Sequence, residues 1–383
     1  MAEKNTLDMI AVSNYIRQNA SDSYRAKVPK LSAKSPIGEL SNPLLEYSVV
    51  MNEYASGLID YIGDNILNRI TKFTNKLSKF KRTTTGKGID VREISKGLVD
   101  GMDYEFTTEG IAKMFHIYPQ EYAECFHRLN RQRIFPITFS RKLLKQSLTS
   151  WGDLEEFVTE LVDTLEQSNE QEEYELMIEL IRSSIQNDDM KHIVMESAVV
   201  DKETGEDFVE IVKDVVGSFQ YRDNTNSVWG RTNPTTKIMP ISNVEDINVI
   251  LPYKVKNKIS VKTLAGAFNK DELTFNTENV TEVDALGYIV TGESGSETYY
   301  AVDAIVCDAN WFRVFDDPDN EVNGNDLPTA RAFNRYLHIW QTLSTSPFMC
   351  VNAIMHEVES TDIPEGYFDD LLGRDEIVND GQE

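Results

Sequence analysis

The sequence predicts an α+β fold, and three observations carry that prediction. Apolar residues recur at steps of three and four over 66–80, 154–165, 174–185 and 208–219, the spacing of one helix face. The stretches 126–140, 247–252 and 297–317 read instead as strands, with alternating or continuous apolar, aromatic and β-branched residues, and 333–348 fits either period, its Tyr, Ile, Trp and Thr content favouring strand. No segment repeats at a fixed period.

Taken in order, residues 1–43 hold Pro29, Pro36 and Pro43 among Ser, Lys and Asn. They predict an extended arm with one short helix near Leu7–Ile16. Residues 44–80 look helical. Ile66, Ile70, Phe73, Leu77 and Phe80 share one face, and Arg69, Lys72, Lys76 and Lys79 share the next. No acid lies between Asp64 and Asp90. That acid-free run marks the four cations as candidate assembly or DNA-facing contacts; the plain alternative is a solvated lysine-rich face. TTTGKG at 83–88 breaks the run as a flexible link.

Residues 89–148 are polar and mixed. Within them FHRLNRQRIFPITFS, 126–140, reads as one strand, and Pro136 fits an exposed ribbon or edge rather than a sheet centre. Ser150 and Asp153 form a capping-box-like start to a helix. The stripes Leu154–Leu165 and Tyr174–Ile185 lie roughly opposite each other. Either the helix breaks at QSNEQ, 167–171, or one long helix packs on different neighbours at its two ends. A strand at 192–200, a turn at 201–207 and a helix bearing Phe208, Ile211, Val212, Val215, Val216 and Phe219 follow. Residues 223–243 read as a loop, INVILP (247–252) as a buried strand and 254–268 as helix. GESGSE, 292–297, is a turn between strands. From Glu357 the tail has 10 acids against Arg374 alone and should be solvated and mobile.

Composition bounds the function. With 383 residues, 40% hydrophobic and 26% charged, the chain can bury real cores and reads as globular. No stretch approaches the ~20 apolar residues of a membrane span, and the first residues lack a secretion signal. Cys125, Cys307 and Cys350 are widely spaced and fit reduced thiols of a cytoplasm. The net charge of −25 is uneven. Residues 1–145 hold 22 basic and 16 acidic side chains; residues 146–383 hold the other 16 basic and 47 acidic. A basic third beside an acidic body suits self-association of unlike surfaces, or one face turned to a polyanion.

Catalytic signatures are missing from the sequence. TTTGKG lacks the spacing of a phosphate-cradling loop, and neither H-E-x-x-H nor G-x-S-x-G occurs. His116, His127, His192, His338 and His356 are far apart and read as structural or surface residues. Asp308, Asp316, Asp317 and Asp319 near Trp311 would suit a hard cation, but DDPDN is also turn composition, and the turn is the preferred reading. No catalytic residue, cofactor or metal site is expected.

Several stretches in a fixed order resemble the major capsid proteins of small short-tailed bacteriophages, the phi twenty-nine-like group. IVCDANWFRVFDD (305–317) is similar to their D-x-N-W-F strand with its acidic turn. FNRYLHIWQTLSTSPFMCVNAIMHE (333–357) is similar to their Y-x-x-H-x-W strand, S-x-S-P-F turn and final apolar strand. EDINVILPYKVKNKISVKTLAGAFN (245–269) and FHRLNRQRIFPITFSRKLLKQSLTSWGDLEEF (126–157) complete the resemblance, which leaves out the basic helix and the tail.

The resemblance implies a Hong Kong ninety-seven-type fold, with an arm and basic helix at 1–82 and an extended ribbon at 83–148. It further implies peripheral parts at 149–232 and 301–356, an axial domain at 233–300 and an acidic tail at 357–383. That tail is too short for the ~100-residue immunoglobulin-like sandwich some members carry. The implied function is a shell: hexamers and pentamers of this chain closing an icosahedral phage head around double-stranded DNA. Implied partners are a scaffolding protein, a portal and DNA held by non-specific contact, with no membrane. The place is the virion capsid, assembled in the bacterial host cytoplasm. The rivals are a same-fold cellular nanocompartment shell, an acidic hydrolase and a tail component. Within the ribbon, residues 106–140 are expected to lack a core of their own, to be poorly ordered in a lone subunit and to order on assembly.

Overall fold

The structure is a computed structural model that describes residues 8–65, 74–83, 90–103, 107, 113, 116–259, 264–266, 268–271, 278–292, 297–317, 321–327, 332–364 and 367. Four helices come first, α1 (Met9–Asn19), α2 (Asp22–Lys27), α3 (Gly38–Glu46) and α4 (Ser48–Asn65). Strands β1 (Lys81–Thr83), β2 (Asp90–Lys96), β3 (Tyr122–Arg128) and β4 (Arg131–Ser140) lead to α5 (Arg141–Ser147) and α6 (Trp151–Gln186). Then come β5 (Lys191–Met195), α7 (Lys202–Phe219), α8 (Val228–Thr232), β6 (Ile247–Pro252) and α9 (Tyr253–Lys256). The remaining strands are β7 (Val280–Val283), β8 (Tyr288–Thr291), β9 (Thr298–Asp308), β10 (Phe312–Asp316), β11 (Glu321–Leu327), β12 (Ala332–Thr345) and β13 (Val351–Val358).

The chain divides into two compact units. One comprises Met1–Asn75, Arg131–Glu173 and Asp317–Trp340; the other comprises Lys76–Asn130, Tyr174–Asp316 and Gln341–Glu383. In the first, the arm is helical where an extended chain was expected. Asp8 caps α1 through the amides of Ile10 and Ala11, and Met9, Val12 and Ile16 turn inward at helical spacing. Ser21 caps α2. These caps offset the prolines that suggested an extended arm, and Pro43 sits inside α3. Tyr24, Leu40, Leu44, Tyr54, Val158 and Phe333 join the same core. Buried Arg131 meets Asn169 at 3.0 Å, Glu172 at 3.6 Å and Glu173 at 4.0 Å. β11 and β12 form an antiparallel hairpin from Glu321↔His338 to Leu327↔Ala332, and β4 also pairs with β12.

The second unit is built on the sheet β5-β13-β9-β6-β7, with β8 on β9. Its central strands are covered on both faces, which is why INVILP is buried throughout and apolar but for Asn248. Ile247, Val249, Leu251, Ala304, Val306 and Ile354 pack with Phe208, Val212, Val216 and Phe219 of α7. The alternate residues Ile250, Ile305, Cys307, Ala353 and Met355 pack with Met177, Ile181 and Ile185 of α6 and with Trp311 and Phe312. This period-two split is what a strand dictates. Phe80 stacks on Phe312 with centroids 4.7 Å apart, beside the parallel pairing of β1 with β10.

Several expectations change. The predicted helix over 66–80 does not continue through 74–80. That stretch is a turn and a 3-10 turn, Ser78–Phe80, leading into β1. Leu77 and Phe80 are buried as expected, and 66–73 lie outside the described residues. The strand over 126–140 is two strands, parted at Leu129–Asn130. The helix from Ser150 is a single one of 36 residues, with the Asp153 amide donating to the Ser150 hydroxyl at 3.0 Å. α7 begins where a turn was expected, because Asp201 and Thr204 form a reciprocal capping box. The predicted strand over 192–200 correspondingly ends at Met195. The loop over 223–243 contains the short helix α8, and β13 extends two residues into the predicted tail, to Val358. Of the predicted helix over 254–268, α9 and residues 264–266 are helical, and 260–263 and 267 lie outside the described residues.

Candidate assembly surface

β2 and β3 form a two-stranded antiparallel ribbon, in register from Asp90↔Arg128 to Lys96↔Tyr122. Alternation gives it two unlike faces. The inner face carries Glu93, Ala123, Cys125 and His127. Ala123 is buried with Ile238 and Phe348, and Cys125 and Trp229 pack against them. The outer face carries Arg92, Ile94, Tyr122, Glu124, Phe126 and Arg128, all exposed. Ile94, Tyr122 and Phe126 are 48%, 68% and 49% exposed. Arg92 pairs with Glu124 and lies over the Phe126 ring.

A buried charge node fixes the inner face. The Glu93 carboxylate accepts from His127 Nε2 at 3.0 Å, from the Ser346 hydroxyl at 2.9 Å and from both Nε and Nη2 of Arg313. His127 Nδ1 lies 2.8 Å from the Ser344 hydroxyl. Burial alone would raise the Glu93 pKa, but the His127 and Arg313 bonds, the Arg313 charge and Ser346 outweigh it and hold the carboxyl down to about 2. At the far end of the ribbon Glu121 accepts from the Thr236 hydroxyl and the Lys237 amide. Gly97 passes so close there that a Cβ would stand 3.1 Å from the Cβ atoms of Glu121 and Lys237. The break after β3 is bridged by Asn130, whose amide donates to the Leu343 carbonyl at 2.7 Å and accepts from its N–H at 2.8 Å.

Of the four cations singled out in the sequence, Arg69 and Lys72 lie outside the described residues. Lys76 reaches Glu282 at 3.5 Å. Lys79 donates to Asn248 Oδ1 at 2.9 Å and to the Glu278 carbonyl at 3.0 Å. Burial pushes the Lys79 ammonium down to about 8. Both thus bond within their own unit. Asp308 serves a turn, accepting from the Asn310 amide at 2.7 Å, and Asp316 pairs with Lys81 at 2.9 Å; Asp319 lies outside the described residues. Among the described residues no group of three His, Cys, Asp or Glu side chains is placed to hold a metal, and no helix is long and apolar enough to cross a membrane. Sequence reading missed Glu93 and Arg313, which are 220 residues apart and carry no local signal.

Comparison with known proteins places this geometry. The family described as Phi29-like phage major capsid protein matches residues 13–355. The major capsid protein of Bacillus phage B103 is 27% identical over 356 residues, 92% of this chain and 73% of that one. That of Bacillus phage PZA is 26% identical over 335 residues, 88% of this chain and 70% of that one. Among solved structures, a chain of the Staphylococcus phage Andhra capsid superposes with a TM-score of 0.60 at 12% identity, over 76% of this chain and 86% of that one. That likeness shows the fold, the Hong Kong ninety-seven type expected from the sequence. By the family match and its named relatives, the chain belongs to the Phi29-like phage major capsid protein family, as a structural component of a tailed-phage head.

Proposed function

We propose that copies of this chain form hexamers and pentamers that close an icosahedral head around double-stranded DNA. On this reading assembly takes place in the host cytoplasm, with a scaffolding protein and a portal as partners, and the chain catalyses no reaction. The observation that carries the reading is the outer face of the β2–β3 ribbon. Its exposed Ile94, Tyr122 and Phe126 sit on a ribbon whose other face is already docked. An exposed apolar strip on an anchored support fits a contact with a second copy.

The division into arm, ribbon, peripheral and axial parts is part of the same proposal. In its support, the ribbon falls within 83–148, the long helix starts at the head of 149–232, and β7 and β8 fall within 233–300. The candidate contacts Arg69, Lys72, Lys76 and Lys79 are read on the subunit side rather than the DNA side. The support for that preference is the charge split, 47 acidic against 16 basic side chains over residues 146–383; Lys76 and Lys79 themselves bond within their own unit. The test is a Phe126→Asp, Ile94→Asp double variant of the full chain. Particle formation by negative-stain microscopy should be lost while the subunit's unfolding midpoint is kept. Particles as abundant as those of the parent would remove the ribbon contact.

A further inference from the structure

Residues 23–38 hold Arg25, Lys27, Lys30 and Lys34 and no carboxylate, in a chain with 63 acids and 38 bases. The segment is built rather than loose. Tyr24, Val28 and Leu31 are buried at 0%, 1% and 5% exposure and tie it to its unit. Two side chains of α1 hold its backbone. Asn14 donates to the Leu31 carbonyl and accepts from the Leu31 amide, both at 2.9 Å. Arg17 donates to the carbonyls of Val28, at 2.8 Å, and Arg25, at 3.3 Å. The turn that follows closes through the Ser35 amide and the Ser32 carbonyl at 2.9 Å.

All four cations are exposed. Arg25 pairs with Asp22 at 2.9 Å, and Lys27 lies 3.8 Å from the centre of the Tyr47 ring. Among the described residues, no carboxylate lies within ion-pair distance of Lys27, Lys30 or Lys34. The fold thus spends apolar anchors and backbone bonds on presenting three unneutralised lysines at fixed places.

We propose that this lysine-bearing segment, 25–34, is a phosphate-contacting surface for double-stranded DNA, an inference that rests on the shell reading. Two properties favour a polyanion over the acidic surface of a second copy. The unpaired cations are all lysines, and protein interfaces deplete lysine while arginine supplies paired, geometrically matched contacts to carboxylates. The positions between them, Pro29, Ser32 and Ala33, offer no apolar centre for a protein contact. Phosphate contact needs charge at a fixed place and no reading of base edges.

The test uses the full chain and its Lys27→Gln, Lys30→Gln, Lys34→Gln variant. Binding to a random-sequence duplex is followed by fluorescence anisotropy at a series of salt concentrations, starting from low ionic strength. The parent should bind, and the slope of log affinity against log salt should shrink by about 3 in the variant. Particle formation by light scattering should be unchanged. An equal slope in the two proteins, or no DNA binding by the parent, overturns the proposal. So does a variant that binds DNA like its parent yet forms no particles, which would make a second copy the partner. Absence of particles from the parent itself would instead count against the shell reading, and the slope comparison would still stand.

Discussion

The central sheet β13-β9-β6 and the β2–β3 ribbon are both antiparallel pairings, yet they are held in opposite ways. The sheet is secured by many apolar side chains on two faces, none of them indispensable alone. The ribbon is secured by a small apolar contact, by Glu121 at its far end and above all by one carboxylate, Glu93, on which three other side chains converge. Distributed burial gives a unit that fails all at once. A focal charge node gives an element that can loosen while the rest stays folded.

The comparison breaks most sharply at Phe312, fully buried and stacked on Phe80. Phe312→Ala should cost about 3–5 kcal/mol, seen as a lowered denaturant midpoint with every probe falling together. Glu93→Gln should cost about 3 kcal/mol, because it leaves Arg313 and His127 buried without their anion. Here the loss should be local. Hydrogen exchange should speed up at 91–95 and 123–127 while the global midpoint moves far less, and a uniform loss would erase the distinction.

Acid probes the same carboxylate without mutation. A group whose folded pKa lies below its unfolded value stabilises the fold at pH above the unfolded value. For Glu93 that contribution is complete at neutral pH, begins to fall near its ordinary value of 4.5 and is gone as pH drops through about 2. Ribbon amides should therefore keep their protection through mild acid and lose it between those limits. Loss of protection at pH 6 would point elsewhere than Glu93.

Two smaller effects sharpen the picture within the second unit. Gly287 has φ +83°, and a Cβ there would overlap the Tyr367 hydroxyl, which accepts from the Tyr288 amide at 3.1 Å. Gly287→Ala should cost about 1–3 kcal/mol and speed proteolysis after β13, where Tyr367 otherwise stacks edge-on to Tyr288. Asp201→Ala should remove the capping box of α7 and cost about 1 kcal/mol, visible as a small shift in thermal midpoint.

What could be read from the sequence was what local chemistry decides. INVILP announced a strand covered on both faces, and Ser150 with Asp153 announced the start of α6. The helical stripe from Phe208 to Phe219 also held. The arm misled because its prolines outweighed the capping signals of Asp8 and Ser21. The run at 74–80 misled because Leu77 and Phe80 are spaced as on a helix yet are buried from a turn. Glu93 was invisible for a different reason. Its partners come from β3, β10 and the turn before β13, and no spacing within one segment encodes such a meeting. The family order of motifs pointed to the shell, but the ribbon's two unlike faces appear only once the register of β2 and β3 is known.

The position of β13 has a consequence for how a subunit is made. It is the last described strand to leave the ribosome, yet it lies between β5 and β9, parallel to one and antiparallel to the other. Until residues 351–358 emerge, β5 has no neighbour in its sheet and an apolar edge of β9 stands open. Pairings this distant in sequence are slow to form, and a nascent chain in that state is prone to aggregate. A translation product halted at Cys350 would lack the strand that joins β5 to the rest of its sheet. Synthesis through β13 is therefore the step that commits a chain to a folded core, and prematurely terminated copies should be diverted to proteolysis before they can compete with whole ones.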